Sequence, residues 1–363
     1  PVVGGIQITG SHNPPEYNGF KLSLGKESVH GHDIQHLLAL IQRGVVPIGQ
    51  GRVRHEQVVD RYVTDVAQRI GPLSRRIRMV YDCGNGAAAV VAPQLMRALG
   101  VDATGLFCES DGTFPNHHPD PTVPENLEDL IAAVKRERAE IGVAFDGDGD
   151  RIGMVDGSGR IVWGDHLLIL YARDVLARVG KGQPIIFDVK CSQALPDEIV
   201  KAGGKPVMWK TGHSLIKEKM KETNAPIAGE MSGHMFFGEG FYGHDDALYA
   251  AARLLRIIAD SGKSVAQLLA DVPEFVSTPE IRVDCADSLK FDLVQRAVDH
   301  YRGLYDVIDV DGVRVLFGDG WGLIRASNTQ PIIVTRFEAR STQRLAEIRG
   351  EMEGWLREQG VSV

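Results

Sequence analysis

Hydrophobic and polar residues follow two rhythms along this chain. One alternates every second residue or fills short apolar runs, as strands do; the other recurs every third to fourth residue, as helices do. Strands are predicted at residues 2–9 and 19–24, then a helix at 33–43. Next come a helix at 58–70, a strand at 78–82, the turn Gly84-Asn85-Gly86, a helix through residue 97 and a strand at 103–107. A helix at 126–138 and a buried strand at 141–145 follow. That alternation favours a parallel sheet. Residues 161–272 repeat it: helix 165–179, strand 184–189, a helix to 202, strand 206–210, helix 213–223, strand 225–229 and helix 245–260. From about residue 276 strands become neighbours, at 281–284, 313–317, 322–326 and 332–338, with helices at 288–301 and 342–359. This pattern predicts an antiparallel α+β unit.

The fold class is therefore α/β: three tandem units at 1–57, 58–160 and 161–272, then an α+β unit at 273–363. The first unit holds too few elements for a complete α/β domain. It opens at Pro1, almost inside a strand, so its earlier strands and helices are expected to be lacking.

With 363 residues, 43% of them hydrophobic, the chain can bury several cores. Its formal charge of −8 argues against a nucleic-acid-binding surface. It leaves room for small anionic ligands in a local basic pocket. Cys83, Cys108, Cys191 and Cys285 are far apart and form no CxxC pair, so reduced thiols in the cytoplasm are expected. No apolar run approaches a membrane span, and no signal peptide is visible.

Chemistry enters with Asp146-Gly147-Asp148-Gly149-Asp150-Arg151. The run suits neither helix nor strand, so an exposed loop is expected at the C-terminal end of strand 141–145. Alternation in an extended loop would turn all three carboxylates to one side, at a spacing suited to a hard divalent cation. A solvated acidic turn is the plainer reading. An EF-hand fails, because its sixth position wants Gly and its twelfth Glu, and here stand Arg151 and Gly157. A DxDxT phosphatase loop is a poor match, since Asp150 occupies the Thr position. Arg151 is either an ion-pair partner of these acids or a clamp on a transferring phosphoryl group.

Three other loops carry reactive residue types. Thr9-Gly10-Ser11-His12-Asn13-Pro14 follows the opening strand. It reads as a simple turn, or as a nucleophile loop if a metal or base activates Ser11. A phosphoserine there would complete three carboxylates with a phosphate oxygen, a set that favours Mg²⁺. Lys21, on the next strand, could return to the same phosphate. Gly229-Glu230-Met231-Ser232-Gly233-His234 offers a carboxylate and a hydroxyl suited to vicinal sugar hydroxyls, with His234 alternatively a plain loop histidine. Arg325-Ala326-Ser327-Asn328-Thr329-Gln330-Pro331 offers a guanidinium fork, two hydroxyls and an amide, a set for a phosphate dianion; Arg336 could add a second cation. A hydrogen-bonded hairpin turn is the competing reading.

In this order, TGSHNP, DGDGDR, GEMSGH and RASNTQP, the four loops resemble the α-D-phosphohexomutase superfamily, in particular its phosphomannomutase/phosphoglucomutase group. The resemblance covers essentially the whole chain. It implies four domains around a central cleft, one loop from each, with the first domain normally extending further upstream. It implies interconversion of hexose 1-phosphates and 6-phosphates, of glucose and of mannose, through a phosphoserine and a hexose 1,6-bisphosphate that reorients. Ser11 would be the phosphorylated serine and, with Asp146, Asp148 and Asp150, would hold one Mg²⁺. His12, Lys21 and Arg151 would surround the transferring phosphate, and His234 would move protons. Glu230 and Ser232 would hold sugar O3 and O4; Lys190, Thr211, Gly212 and His213 would add contacts from the third domain. Arg325, Ser327, Asn328, Thr329 and Arg336 would bind the distal phosphate. Gly10 departs from the family, where Ala is usual. A monomer in the cytoplasm is expected, with no nucleic-acid or membrane partner. Met231 favours hexose phosphates over phosphoglucosamine, the alternative substrate within the family. A non-catalytic phosphosugar-binding relative and a phosphoserine-phosphatase-like hydrolase are the alternatives outside that activity.

Overall fold

A computed structural model describes residues 2–25, 27–44, 47–328 and 330–363. In the first unit β1 (Gly4–Ile8), β2 (Phe20–Leu24) and β3 (Glu27–Ser28) form an antiparallel sheet in that order, beside α1 (His32–Gln42). Pairing of Ile8 with Phe20 closes a hairpin whose loop carries Ser11. Ile6, Ile8, Phe20, Leu24 and Ile41 are all exposed.

The second unit begins with α2 (Val59–Ile70), which turns Val63, Val66 and Ile70 inwards at helical spacing and stops at Gly71, where φ is 73°. β4 (Arg78–Asp82), α3 (Ala92–Ala98), β5 (Asp102–Leu106), α4 (Glu128–Glu137), β6 (Ile141–Phe145), β7 (Ile152–Asp156) and β8 (Ile161–Val162) follow. The sheet order is β5-β4-β6-β7-β8. Its first three strands are parallel, but β7 and β8 run antiparallel, which corrects the parallel sheet expected from the helix–strand alternation. The acid loop reverses the chain within a few residues, helped by Gly149 at φ 80°, so β6 and β7 form a hairpin. The helix expected up to residue 97 is also divided: a 3₁₀ turn spans Ala87–Val90, and α3 restarts with Pro93 in its first turn.

The third unit comprises α5 (Gly164–Val179), β9 (Pro184–Asp188), α6 (Ala194–Lys201), β10 (Lys205–Trp209), α7 (His213–Thr223), β11 (Ile227–Gly229), β12 (Met235–Phe237), α8 (Ala247–Ser261) and α9 (Val265–Leu268). Its sheet runs β10-β9-β11-β12, parallel except for β12. One hydrophobic core passes through the second and third units, joining Phe145 and Met154 to Leu168, Phe187 and Leu255.

The fourth unit holds β13 (Val276–Ser277), β14 (Ile281–Asp284), α10 (Asp287–Arg302), β15 (Asp306–Ile308), β16 (Val313–Leu316), β17 (Gly320–Ala326), β18 (Ile332–Ala339) and α11 (Thr342–Glu358). Its sheet is antiparallel, as expected, over a separate core. Buried Arg314 ties it to the third unit: the guanidinium lies 3.7 Å from the Trp321 ring centre and donates to the carbonyls of Val189 and Cys191 at 2.8 and 2.7 Å. Among the described residues no helix is long and apolar enough to cross a membrane.

Candidate active site

The serine loop is folded tightly onto the acid loop. Ser11 takes a left-handed backbone, φ 51°, which a non-glycine residue adopts only under local constraint. Its amide donates to Thr9 Oγ1 at 2.7 Å, and Thr9 Oγ1 donates to Asp148 Oδ2 at 3.0 Å. Ser11 Oγ donates to Asp146 Oδ2 at 2.9 Å and lies 3.0 Å from His12 Nδ1. A Cβ at Gly147 would stand 2.0 Å from the Ser11 carbonyl oxygen, so the approach needs glycine there. At Gly10 a Cβ would stand 2.7 Å from the Tyr17 carbonyl, which accounts for this chain's glycine before the serine. Burial, then Arg151, lowers the His12 pKa to about 4, so the ring is neutral near pH 7. Arg151 Nη1 at 3.4 Å from His12 Nε2 places the ring proton on Nδ1, facing Ser11.

The acid loop is not the exposed loop expected. Asp146 is fully buried, because its Oδ1 accepts the amides of Gly149, Asp150 and Arg151 at 3.0, 3.0 and 3.1 Å. This carboxylate builds the turn that presents the other two. Through that turn, rather than through extended alternation, Asp146, Asp148 and Asp150 bring ligand oxygens within 4.8 Å of one another. Burial, then Asp150 and Asp148, pushes Asp146 up to about 7, the cost of crowding anions. Buried Asp148 Oδ1 has no hydrogen-bond partner among the described residues. An orphaned buried carboxylate oxygen within a three-carboxylate set fits a hard divalent cation. Lys21 reaches the same acids, with Nζ 2.8 Å from Asp148 Oδ2 and 2.6 Å from Asp150 Oδ2. Burial works against its charge, but Asp150 and Asp148 outweigh that and push its pKa up.

The Glu230 loop meets the acid loop backbone to backbone. Arg151 and His234 form a β-bridge, and the Ile152 amide donates to the Gly233 carbonyl at 3.1 Å. His234 Nε2 lies 3.2 Å from Asp150 Oδ1, and Nδ1 lies 3.0 Å from Glu230 Oε2 and 3.0 Å from Ser232 Oγ. Burial disfavours its charge, yet Asp150 and Glu230 raise its pKa to about 10. Arg151 Nε, 3.3 Å from Nε2, then opposes a charged ring rather than donating to it. Burial resists ionisation of Glu230, but the bond from His234 and the Gly212 amide at 2.7 Å bring it down to about 2. His213 opens α7 with its ring centre 6.0 Å from that of His234 and its Nδ1 3.6 Å from Asp245.

A second cluster lies where the third unit meets the fourth. Lys190 is buried, 2.5 Å from Glu280 and 3.7 Å from Asp188. Thr211 donates from Oγ1 to Asp188 at 3.2 Å and from its amide to Asp311 at 3.0 Å. Arg325 Nε donates to the same Asp311 oxygen at 3.0 Å. Ser327 is buried, its Oγ accepting the Gln330 amide at 3.2 Å, and Asn328 is exposed. Thr329 lies outside the described residues. Arg336 shares a sheet face with Arg325, yet its buried guanidinium turns to the Lys190 carbonyl and Met231 Sδ. The structure thus gathers Ser11, His12, Lys21, Arg151, the three Asp, Glu230, Ser232 and His234 in one network. It joins Lys190, Thr211 and Arg325 in another, with Gly212 and Glu230 between them.

Sequence reasoning passed over four acids. Asp120 stands 4.0 Å from His12 and from Arg151. Asp188, at the end of β9, accepts from Thr211, the Met231 amide and the Cys191 thiol. Asp245 faces His213 and Lys217, and Asp311 holds Arg325. Only Asp188 carried a readable signal, a carboxylate ending an apolar strand.

Family models for phosphoglucomutase/phosphomannomutase match the chain in order: α/β/α domain I at residues 2–43, α/β/α domain II at 60–159, α/β/α domain III at 163–275 and the C-terminal domain at 280–354. A phosphomannomutase/phosphoglucomutase of Pseudomonas putida is 51% identical over 95% of this chain and 74% of its own length. A phosphoglucomutase of Neisseria meningitidis is 46% identical over 96% of this chain and 76% of its own. A crystal structure of a phosphoglucomutase/phosphomannomutase family protein from Burkholderia thailandensis superposes with a TM-score of 0.90 at 45% identity, covering 98% of this chain and 76% of the other. Loop order, domain order and these likenesses agree, and the chain belongs to the phosphoglucomutase/phosphomannomutase family, within the α-D-phosphohexomutases.

Proposed function

We propose that this chain interconverts hexose 1-phosphates and hexose 6-phosphates of glucose and mannose, using Ser11 as phosphoryl carrier. The observation that carries the reading is Ser11 Oγ, 2.9 Å from the buried Asp146 of the three-carboxylate set and 3.0 Å from His12. Asp146, Asp148, Asp150 and Ser11 would hold one Mg²⁺, which when bound neutralises phosphoryl oxygens and spares the acids their mutual repulsion. Phosphorylated Ser11 faces a free hydroxyl of the hexose monophosphate. The bond from Ser11 Oγ to phosphorus breaks, a bond from the sugar oxygen to phosphorus forms, and the hydroxyl proton ends on Ser11 Oγ. Arg151 and Lys21 balance the charge spread over the transferring group. The product, a hexose 1,6-bisphosphate, turns over and returns its other phosphate to Ser11.

Turning over demands a distal site that accepts either phosphate. Arg325, with the hydroxyls and amide of its loop, recognises a phosphate rather than one end of a sugar. Glu230, Ser232 and His234 lie next to the acid network and would hold hydroxyls that glucose and mannose share, leaving C2 unread. His234, held between Asp150 and Glu230, is the group that would relay the hydroxyl proton towards Ser11 Oγ. Substrate phosphate and Asp311 compete for Arg325, so Asp311 positions the guanidinium before substrate arrives.

Ser11→Ala should lower conversion of glucose 1-phosphate and mannose 1-phosphate by several orders of magnitude while monophosphate still binds. Intact mass and peptide mapping of active protein should find phosphate on Ser11. Phosphate found only elsewhere, or net release of inorganic phosphate in place of isomerisation, would overturn the reading.

A further inference from the structure

Cys83 and Cys108 take no part in the chemistry above. Cys83 directly follows β4, and Cys108 lies just beyond β5, the neighbouring parallel strand. The Cys83 amide donates to the Leu106 carbonyl at 3.1 Å and the Asn85 amide to the Phe107 carbonyl at 3.0 Å, so the two segments run side by side. Their free sulfurs are 3.6 Å apart. A disulfide needs Cα atoms roughly 4.4–6.8 Å apart and sulfurs at about 2.05 Å, and neighbouring segments joined by main-chain hydrogen bonds with sulfurs already in contact favour such closure. Cys83 is buried, while Cys108 is partly exposed and is the more accessible residue of the two. The hydrogen bond from Cys83 holds the Cys108 thiol below its usual range; burial opposes this, and the Tyr81 hydroxyl adds to it. Cys191 and Cys285 lie in other units.

We propose that Cys83 and Cys108 are a peroxide-oxidisable dithiol that closes to a disulfide beneath the acid loop. The Cys108 thiolate attacks a peroxide oxygen; the O–O bond breaks, leaving a Cys108 sulfenic acid and one water. Cys83 sulfur attacks the sulfenic sulfur; the S–O bond breaks, the S–S bond forms and a second water leaves. Two thiols lose two electrons and two protons, and hydrogen peroxide is reduced to two waters.

The Cys83 segment abuts Gly147. The Ala87 amide donates to the Gly147 carbonyl at 2.9 Å, and a Cβ at Gly86 would stand 2.7 Å from that oxygen. Phe107 sets its ring 5.3 Å from that of His117, and nearby Pro119 accepts the Gly147 amide at 3.2 Å. Drawing the sulfurs together displaces the ground beneath Gly147, and Gly147 touches the Ser11 carbonyl. Oxidation therefore slows phosphoryl transfer.

The whole protein is treated with hydrogen peroxide and quenched. Expected are a loss of two hydrogens from the intact mass, a linked Cys83–Cys108 peptide without reductant, and a several-fold fall in mutase rate that dithiothreitol reverses. Cys83→Ser should trap the Cys108 sulfenic acid, read as a dimedone adduct, and Cys83→Ala, which lacks the donated hydrogen bond, should trap it more slowly if the serine variant folds poorly. Oxidation at Cys191 or Cys285 with Cys83 and Cys108 unlinked overturns the dithiol. A linked peptide with an unchanged rate overturns its coupling to the acid loop.

Discussion

Among described residues 2–44 none is buried, whereas Phe145 and Leu168 belong to one hydrophobic core running through two sheets. Yet Ser11 stands on the first region and the three acids on the second. The acid loop is placed by its own buried carboxylate and by strands packed on both faces. The serine loop is placed by polar reach: Thr9 to Asp148, Ser11 to Asp146, Lys21 to Asp148 and Asp150. Position in the site therefore comes from packing on one side and from charge on the other. The two should fail under different insults.

Gly147→Ala strikes the seam between them. A methyl 2.0 Å from the Ser11 carbonyl must push the serine loop away, and a shift of that size costs about a hundredfold in rate. Melting should change little, since the clash can be relieved by moving a loop without a core. Wild-type turnover of glucose 1-phosphate by this variant would show that the close approach is dispensable.

Core truncation should separate the regions by stability. Phe145→Ala, at a site 1% exposed, should cost about 3–5 kcal/mol in denaturant unfolding. Ile6→Ala, at a site 69% exposed, should stay within about 0.5 kcal/mol. Equal costs would remove the contrast.

Lys21→Met removes the cation shared by Asp148 and Asp150. Protease cleavage within residues 2–57 should accelerate several-fold while the main melting transition holds, since the core does not touch this residue. Cleavage at an unchanged rate would mean that other contacts hold the serine loop.

The smallest effect is in pH. His166 Nδ1 lies 2.9 Å from buried Asp165. Burial lowers the ring's pKa, but Asp165 outweighs it, so the folded-state value is raised above 6.5. Its contribution is fully present below pH 6.5 and is lost as pH rises through the raised folded value. The melting difference between wild type and His166→Gln should accordingly shrink with rising pH. A difference that grew instead would reverse the sign of the interaction.

Local pattern was enough to find most elements. Arg78–Asp82, Ile141–Phe145, His213–Thr223 and Ile281–Asp284 stand where apolar spacing put them. β7 and β12 were not foreseen. Ile152–Asp156 is a short apolar run directly after a charged loop, Met235–Phe237 has three residues, and neither shows a period by which to recognise a strand. The four loops were legible because each packs several polar donors into one short stretch. Asp311 was not, because alone in a turn it looks solvated, and its partner, the Thr211 amide, is 100 residues away. Burial of Asp146 was hidden for a related reason: the amides that solvate it belong to backbone, which leaves no mark in side-chain composition.

The Arg151–His234 bridge has a mechanical consequence. Where two sheets share main-chain hydrogen bonds as well as a continuous interior, they travel as a single stage. A Cβ at Gly233 would meet the Ile152 carbonyl at 2.4 Å, so little slack exists at that junction. The fourth unit has its own interior yet is joined to the third by a buried seam of Val189, Trp321 and Leu323, while among the described residues the first meets the stage through the polar side chains of Thr9, Ser11 and Lys21. Widening of the site is therefore easiest at the first unit, where no described residue is buried, while the stage beneath it stays still.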